Sequence, residues 1–387
     1  MQQEHINPVR KFYQMNHYND NLSLENIGEQ AIGLLKELIK IPSFNCREKN
    51  VADYIESFLS EHSLSVSRKY NNIWCYNQFY DGSKPTILLD SHQNTVKPNQ
   101  QYINHPLDAF IKEGKLFGLG SNDAGGALVS LIFTFLYFNQ QSDLPFNLCL
   151  AITGEEENSG ERGIRCIVKE LRSITFAIVG EPTHMEMAIE EKGLMVLNCI
   201  ATGIAGHAAR EEGINAIYKA IRDINWFSTY HFPIEEGQPD PVKMTVTQIN
   251  AGLQHNIIPA ECRFTVDIRF DHSYTQKEIL NTISNHTFCE IAVRPNVLIP
   301  SSIDLLHPVV QAGLKIGRKI YSSSTSSDQA WLEIPSIKMG PGDSLRSHLA
   351  DEFIYVSEVT DGIQIYIDLL TSIFPCYEAT QPIRAGG

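Results

Sequence analysis

Residues 86–96 read Thr-Ile-Leu-Leu-Asp-Ser-His-Gln-Asn-Thr-Val. The first four form a β-rich apolar run entered through Gly82-Ser83-Lys84-Pro85, and a polar cluster with a histidine follows at once. A short apolar run bounded by turn residues predicts a strand buried on both faces, the kind found in parallel sheets. His92 then stands where that strand ends. Phe146 to Thr153 and Phe176 to Val179 repeat the pattern, and each runs into acidic residues, Glu155-Glu156-Glu157 and Glu181. Apolar residues recur at helical spacing at Ile27, Ala31, Leu34, Leu35, Leu38 and Ile39, where Pro42 stops the helix, and again at Val51, Ile55, Phe58 and Leu59. Ala127 to Phe138 reads as a buried helix opening behind Gly125-Gly126. Strands alternating with helices predict an α/β sheet, and open parallel sheets bind ligands at the carboxyl ends of their strands.

The texture changes after Glu191. Leu194 to Ala201 is a predicted strand, Asn215 to Phe227 a helix, and Val242 to Ile249 and Cys262 to Phe270 alternate as strands. A polar helix over Thr275 to Ser284 and a strand over Glu290 to Val297 follow. The order β-α-β-β-α-β fits a ferredoxin-like module. From about Ser301 the α/β texture resumes and closes with a helix over Val356 to Phe374, before a polar tail over Pro375 to Gly387 that is expected to fray. The expected organisation is an α/β domain of residues 1–190 and 300–387, interrupted by an α+β insertion of residues 191–299.

Over 387 residues, Lys and Arg total 31 and Asp and Glu 45, a net charge of −14, with 43% hydrophobic residues. That content supplies a sizeable core. The acidic balance argues against a nucleic-acid partner, which needs a basic face, and against an anionic membrane surface. The eight cysteines form no C-x-x-C pair, and several lie in apolar runs where a thiol acts as a small core residue. Met1 to Asn19 carries no apolar segment of a signal peptide, and no apolar run approaches the roughly 20 residues that span a bilayer. These readings point to a cytoplasmic protein.

Four clusters carry the chemistry: Ser91-His92-Gln93-Asn94, Gly118-Leu119-Gly120-Ser121-Asn122-Asp123-Ala124-Gly125-Gly126, Gly154-Glu155-Glu156-Glu157, and Gly180-Glu181-Pro182. A fifth, Gly340-Pro341-Gly342-Asp343, precedes Ser347-His348. Each alone has an ordinary explanation, as a surface histidine, a helix cap or a solvated acidic loop. Together they supply two histidines, an aspartate and several glutamates at strand ends, which suits two divalent ions bridged by a carboxylate. The helical H-E-x-x-H zinc motif is absent.

The motif order from about Leu34 to Tyr366 resembles the zinc-dependent family that contains acetylornithine deacetylase, succinyl-diaminopimelate desuccinylase, aminoacylases and glutamate-releasing carboxypeptidases. The resemblance implies a zinc-peptidase-like catalytic domain with an inserted lid and dimerisation domain, and a homodimer formed through that lid. It implies that His92, Asp123 and Glu181 hold one metal, and that Asp123 bridges to a second held by Glu157 and His348. The ions would be zinc, or cobalt or manganese. Glu156 would be the general base; a one-residue shift would make Glu155 the base and Glu156 the ligand. In the insertion, Gly206-His207-Ala208-Ala209-Arg210 resembles the family's lid strand, whose histidine steadies the oxyanion across the dimer, and Asn256 and Arg269 would bind the substrate's α-carboxylate. An ordinary salt bridge to Asp267 or Glu261 is the alternative for Arg269. The sequence departs from the family at Asn94, where an Asp usually orients the imidazole, and at Gly125, where a Lys is usual. The implied activity is removal of an acyl group from an amino acid's α-nitrogen, with N-acetylornithine in arginine biosynthesis as the leading substrate. N-acetylcitrulline, N-succinyl amino acids and dipeptides are the alternatives. Asn94 is the one feature that favours an inactive binding homologue.

Overall fold

The structure is a computed structural model that describes residues 24–44, 47–210, 212–234 and 241–378. The polar N-terminal stretch and the last residues of the tail lie outside them. The chain divides into two compact units, one of Met1–Glu190, Ser302–Ser322 and Ser327–Gly387, the other of Glu191–Ser301 with Ser323–Ser326.

The first unit opens with helices α1 (Leu24–Ile39) and α2 (Lys49–Glu61) and strands β1 (Val66–Lys69), β2 (Asn72–Tyr76), β3 (Thr86–His92), β4 (Phe110–Lys112) and β5 (Lys115–Phe117). Helix α3 (Gly126–Asn139), β6 (Asn147–Thr153), β7 (Phe176–Val179) and β8 (Met187–Glu191) follow. The second unit carries β9 (Gly193–Thr202), β10 (Gly206–His207), α4 (Ala216–Thr229), β11 (Val242–Ala251), β12 (Ile257–Ile258), β13 (Glu261–Phe270), α5 (Gln276–His286) and β14 (Glu290–Val293). The chain then runs through β15 (Ser301–Ser302), α6 (Pro308–Lys315), β16 (Ile320–Ser323), β17 (Ser336–Lys338), β18 (Phe353–Tyr355) and α7 (Val356–Glu378).

The main sheet has the order β1-β2-β6-β3-β7-β17-β8-β15, with β16 on β8. Its centre is parallel: β3 pairs with β6 and β7, and β17 with β7. Both faces are covered. Ile87, Leu89, Leu150, Ile152 and Ile178 pack with α1, α3 and α7 on one side, while Leu88, Cys149, Ala151, Ala177 and Val179 pack with Ile164, Ile167 and Leu332 on the other. That is why the strands read as unbroken apolar runs. Helix α3 is buried on nearly every side, and its hydroxyls bond within the helix, Ser130 to Gly126 O and Thr134 to Ser130 O.

The second unit is a four-stranded antiparallel sheet, β11-β13-β9-β14, backed by α4 and α5. Asn215 caps α4. Thr275 and Glu278 form a reciprocal capping box on α5, which fixes where that polar helix starts.

Three expectations need correction. The strand foreseen over Glu290 to Val297 ends at Val293, before Arg294 and Pro295. Helix α7 continues past Pro375 to Glu378, because a proline in the last turn removes little from a helix whose buried face is long. Several short strands were not foreseen, among them β1, whose residues are mostly half-buried and show no clean alternation.

Leu89 is fully buried at the centre of the parallel strands. Leu89→Ala is expected to destabilise the protein by about 2–5 kcal/mol, read as a lowered urea midpoint; a change below about 1 kcal/mol would contradict the placement of this strand in the core.

Candidate metal centre

Each cluster sits at the carboxyl edge of the parallel strands. His92 closes β3, Glu156 and Glu157 lie in a short turn after β6, Glu181 follows β7, and His348 lies in the loop after β17. Asp123 lies in the turn that enters α3. That turn needs its glycines. Gly120 has φ 74°, and a Cβ there would lie 2.4 Å from Thr95 Cγ2. At Gly125 a Cβ would lie 2.3 Å from the Gly120 carbonyl oxygen, so the lysine usual in relatives has no room on this backbone.

His92 Nε2 is 3.3 Å from Asp123 Oδ1 and 3.5 Å from Glu181 Oε1. His348 Nε2 is 3.6 Å from Asp123 Oδ2 and 3.0 Å from Glu157 Oε2. The two oxygens of Asp123 thus face two different groups of ligands. Within His92, Asp123 and Glu181, and within Asp123, Glu157 and His348, the donor atoms lie within 4.8 Å of one another. Tetrahedral bonds of about 2.0–2.1 Å separate ligand atoms by about 3.3 Å, so these spacings suit divalent ions. Two buried atoms point the same way: His92 Nε2 and Glu157 Oε1 lack any hydrogen-bond partner. The donor set fits a dinuclear centre.

The electrostatics are those of crowded acids awaiting cations. Burial pushes Glu156 up to about 8, helped by Glu157, Asp328 and Asp123 and opposed by His92. Burial also raises Glu181 well above the carboxylate range, although His92 and Lys338 favour its charged form. Burial works against protonated His92, but Glu181, Asp123 and Glu156 outweigh it and hold its pKa well up. The bond to Glu157 raises His348 to about 9.

Asn94 works differently from the expected aspartate. His92 Nδ1 bonds the Asn94 backbone carbonyl at 2.8 Å, so the main chain orients the imidazole. The Asn94 side-chain oxygen instead accepts the Glu156 N–H at 3.1 Å. Glu155 turns away from the cluster: its carboxylate accepts the Arg162 N–H at 3.0 Å. Glu156 Oε2 lies 3.9 Å from His92 Nε2.

In the second unit, His207 pairs with Ile257 between β10 and β12, and Ala208 N–H donates to the Asn256 carbonyl, which brings His207 and Asn256 to one turn. Arg269 is gripped by Asp267 through two hydrogen bonds of 2.8 and 3.2 Å. The sequence reading also passed over several buried groups. Glu48 accepts the Glu155 N–H at 3.2 Å. Asp90 lies wholly buried and is pushed well up by burial and Asp328. Lys338 is buried in β17. Glu352 accepts three N–H bonds from the Asp123 turn. A charged residue carries no sign of burial in its own sequence, whether it lies in a polar segment like Glu352 or in an apolar strand like Asp90.

A metal ligand histidine must be neutral. With His348 raised to about 9, its imidazole is protonated at pH 7 before metal binds, and the acids around His92 pull it in the same direction. Zinc binding is expected to release protons and to tighten as pH rises from about 6 to about 9. Calorimetry in buffers of different ionisation enthalpy reads both; a pH-independent affinity without proton release would contradict the ligand set.

A model of the peptidase dimerisation domain of the M20 family matches residues 189–287. The succinyl-diaminopimelate desuccinylase of Buchnera aphidicola is 25% identical over 381 residues, covering 89% of this chain and 98% of its own. The solved M20 metallo-carboxypeptidase of Sulfolobus solfataricus superposes with a TM-score of 0.73 at 14% identity, covering 90% of this chain and 99% of its own. A dinuclear metal-binding M20 peptidase of Bacillus subtilis superposes with a TM-score of 0.65 at 14% identity, over 91% and 99% of the two chains. Among the described residues no helix is long and apolar enough to cross a membrane. The chain thus has the fold of the M20 peptidases, an α/β catalytic domain with an inserted dimerisation domain, and its similarities indicate a hydrolytic enzyme.

Proposed function

We propose that the protein is a zinc-dependent amidohydrolase that removes an acyl group from the α-nitrogen of an amino acid. The observation that carries this reading is Asp123, whose two oxygens face separate ligand groups with Glu156 beside them. Two bound ions would polarise the scissile carbonyl and make a water acidic enough to attack near neutral pH. His92, Asp123 and Glu181 would hold one ion, and Asp123, Glu157 and His348 the other. Glu156 takes the proton of the attacking water and delivers it to the departing amine as the C–N bond breaks. The burial that, with Glu157, Asp328 and Asp123, pushes Glu156 up to about 8 suits a group that must both accept and return a proton.

His207 steadies the oxyanion in this reading, and Asn256 binds the substrate carboxylate. Arg269 joins it by exchanging Asp267 for that carboxylate. A homodimer forms through the inserted domain, as its match to a peptidase dimerisation domain supports. N-acetylornithine is the leading substrate. An N-succinyl amino acid is the second reading, favoured by the desuccinylase relative. A panel of acetylornithine, acetylcitrulline, succinylornithine, succinyl-diaminopimelate and dipeptides separates them by kcat/KM.

With the best of these substrates, Glu156→Gln is expected to keep its zinc and lose about 10²–10⁴-fold in turnover. Glu155→Gln is expected to turn over at near the native rate, because its carboxylate serves Arg162. The reverse pattern would move the base by one residue; no hydrolysis of any of these amides by zinc-loaded protein would overturn the activity.

A further inference from the structure

The fold grips the Asp123 turn through one side chain that contributes no ligand atom. The Glu352 carboxylate is buried and accepts three main-chain N–H groups: Gly120 at 2.9 Å on Oε2, and Asn122 at 2.9 Å and Asp123 at 2.8 Å on Oε1. Its own carbonyl accepts the Gly118 N–H at 3.0 Å. Three N–H donors of one turn converge on this carboxylate as in a backbone nest, and they favour its charged form against burial and the nearby Asp123, which push it up to about 8. A second set of bonds ties the same two segments: the Asn122 side chain accepts the Asp343 N–H at 3.0 Å and donates to the Asp343 carbonyl at 3.0 Å.

Glu352 stands four residues after His348, on the segment that supplies the second group of ligands. The His348 carbonyl accepts from Asn99, and Asp351 accepts the Asn104 N–H, so that segment is anchored on both sides of its turn. The second group draws Asp123 from one end of the Glu352 contact and His348 from the other. The first group shares only Asp123 with it.

We propose that Glu352 is a positioning residue that joins the Asp123 turn to the His348 loop and so sets the geometry of the second metal site more than the first. The inference rests on the dinuclear reading above. The carboxylate fixes the main chain that leads into Asp123, up to its own N–H, which leaves the Asp123 side chain free to present one oxygen to each group. Glutamine at this position keeps the volume but removes the charge, and its amide nitrogen opposes one of the N–H donors. The turn and the loop then move apart, and the site that depends on both loses most.

Stepwise zinc titration of the metal-free full-length chain tests this, with thermal unfolding of the same samples as the check on folding. His348→Ala identifies which step belongs to the second site. In Glu352→Gln that step is expected to weaken by about 10–100-fold, the other by distinctly less. Equal weakening of both steps, or no change in either, would overturn the proposal. Should Glu352→Gln fail to fold, Glu352→Asp keeps the charge but shortens the reach, and the same selective loss, smaller in size, is expected. Uptake of fewer than two zinc ions by the native protein would instead overturn the dinuclear reading itself.

Discussion

Buried carboxylates repel one another, and everything at the carboxyl edge of this sheet follows from crowding Asp123, Glu156, Glu157 and Glu181 around two histidines. Burial, and after it the neighbouring acids, raise the proton affinity of Glu156 to about 8 and of Glu181 well above its usual range, while the bond to Glu157 raises His348 to about 9. Two divalent ions held here would set four positive charges against the carboxylates of Asp123, Glu157 and Glu181 and leave a small positive remainder, the condition under which a water near them would become acidic. Asp123 decides whether this arrangement works, because its two oxygens are the link between the groups. The rest of the catalytic unit can be read as a means of holding that residue in place.

The parallel sheet does most of the holding. Strands buried on both faces cannot slide or tilt without exposing apolar surface, so the residues that leave their ends keep fixed spacings. Around that frame lies a ring of polar main-chain contacts. The Asn94 carbonyl fixes the His92 ring, the Asn94 amide oxygen fixes the Glu156 main chain, Glu48 fixes Glu155, and Glu352 fixes the Asp123 turn. Each uses a backbone N–H or carbonyl, so the centre is oriented largely by the main chain. This also explains how Asn94 can replace a charged residue. An amide oxygen satisfies the Glu156 N–H as a carboxylate would, while the imidazole depends on a carbonyl that any residue provides.

How much of this was legible in the sequence depends on the kind of burial. Strands β3, β6 and β7 were readable because both faces are apolar, and the candidate ligands His92, Glu157 and Glu181 stand out because they follow those strands, whereas the roles proposed for them, and for Asp123 and His348, came from the family resemblance. The β-α-β-β-α-β order of the insertion was readable from the alternating strands and the helical stretches between them. The buried acids were not. Glu352 follows Asp351 and looks like part of a solvated acidic pair, yet it is 2% exposed and bound to three N–H groups. Asp90 lies wholly buried inside the deciding strand itself, where burial first and then the charge of Asp328, from a distant segment, raise its proton affinity. The pairing of Arg269 with Asp267 was open because a guanidinium suits a substrate carboxylate and a neighbouring side chain equally well. Contacts that join remote segments leave no periodic trace.

The central claim is that Asp123 bridges two metal ions. Crystals of the zinc-loaded protein, measured on both sides of the zinc absorption edge, test it without reference to any substrate. Two anomalous peaks are expected about 3.5–4 Å apart, with one oxygen of Asp123 directed at each, His92 and Glu181 on one and Glu157 and His348 on the other. A single peak at saturating zinc, or two peaks that do not share Asp123, would contradict the account.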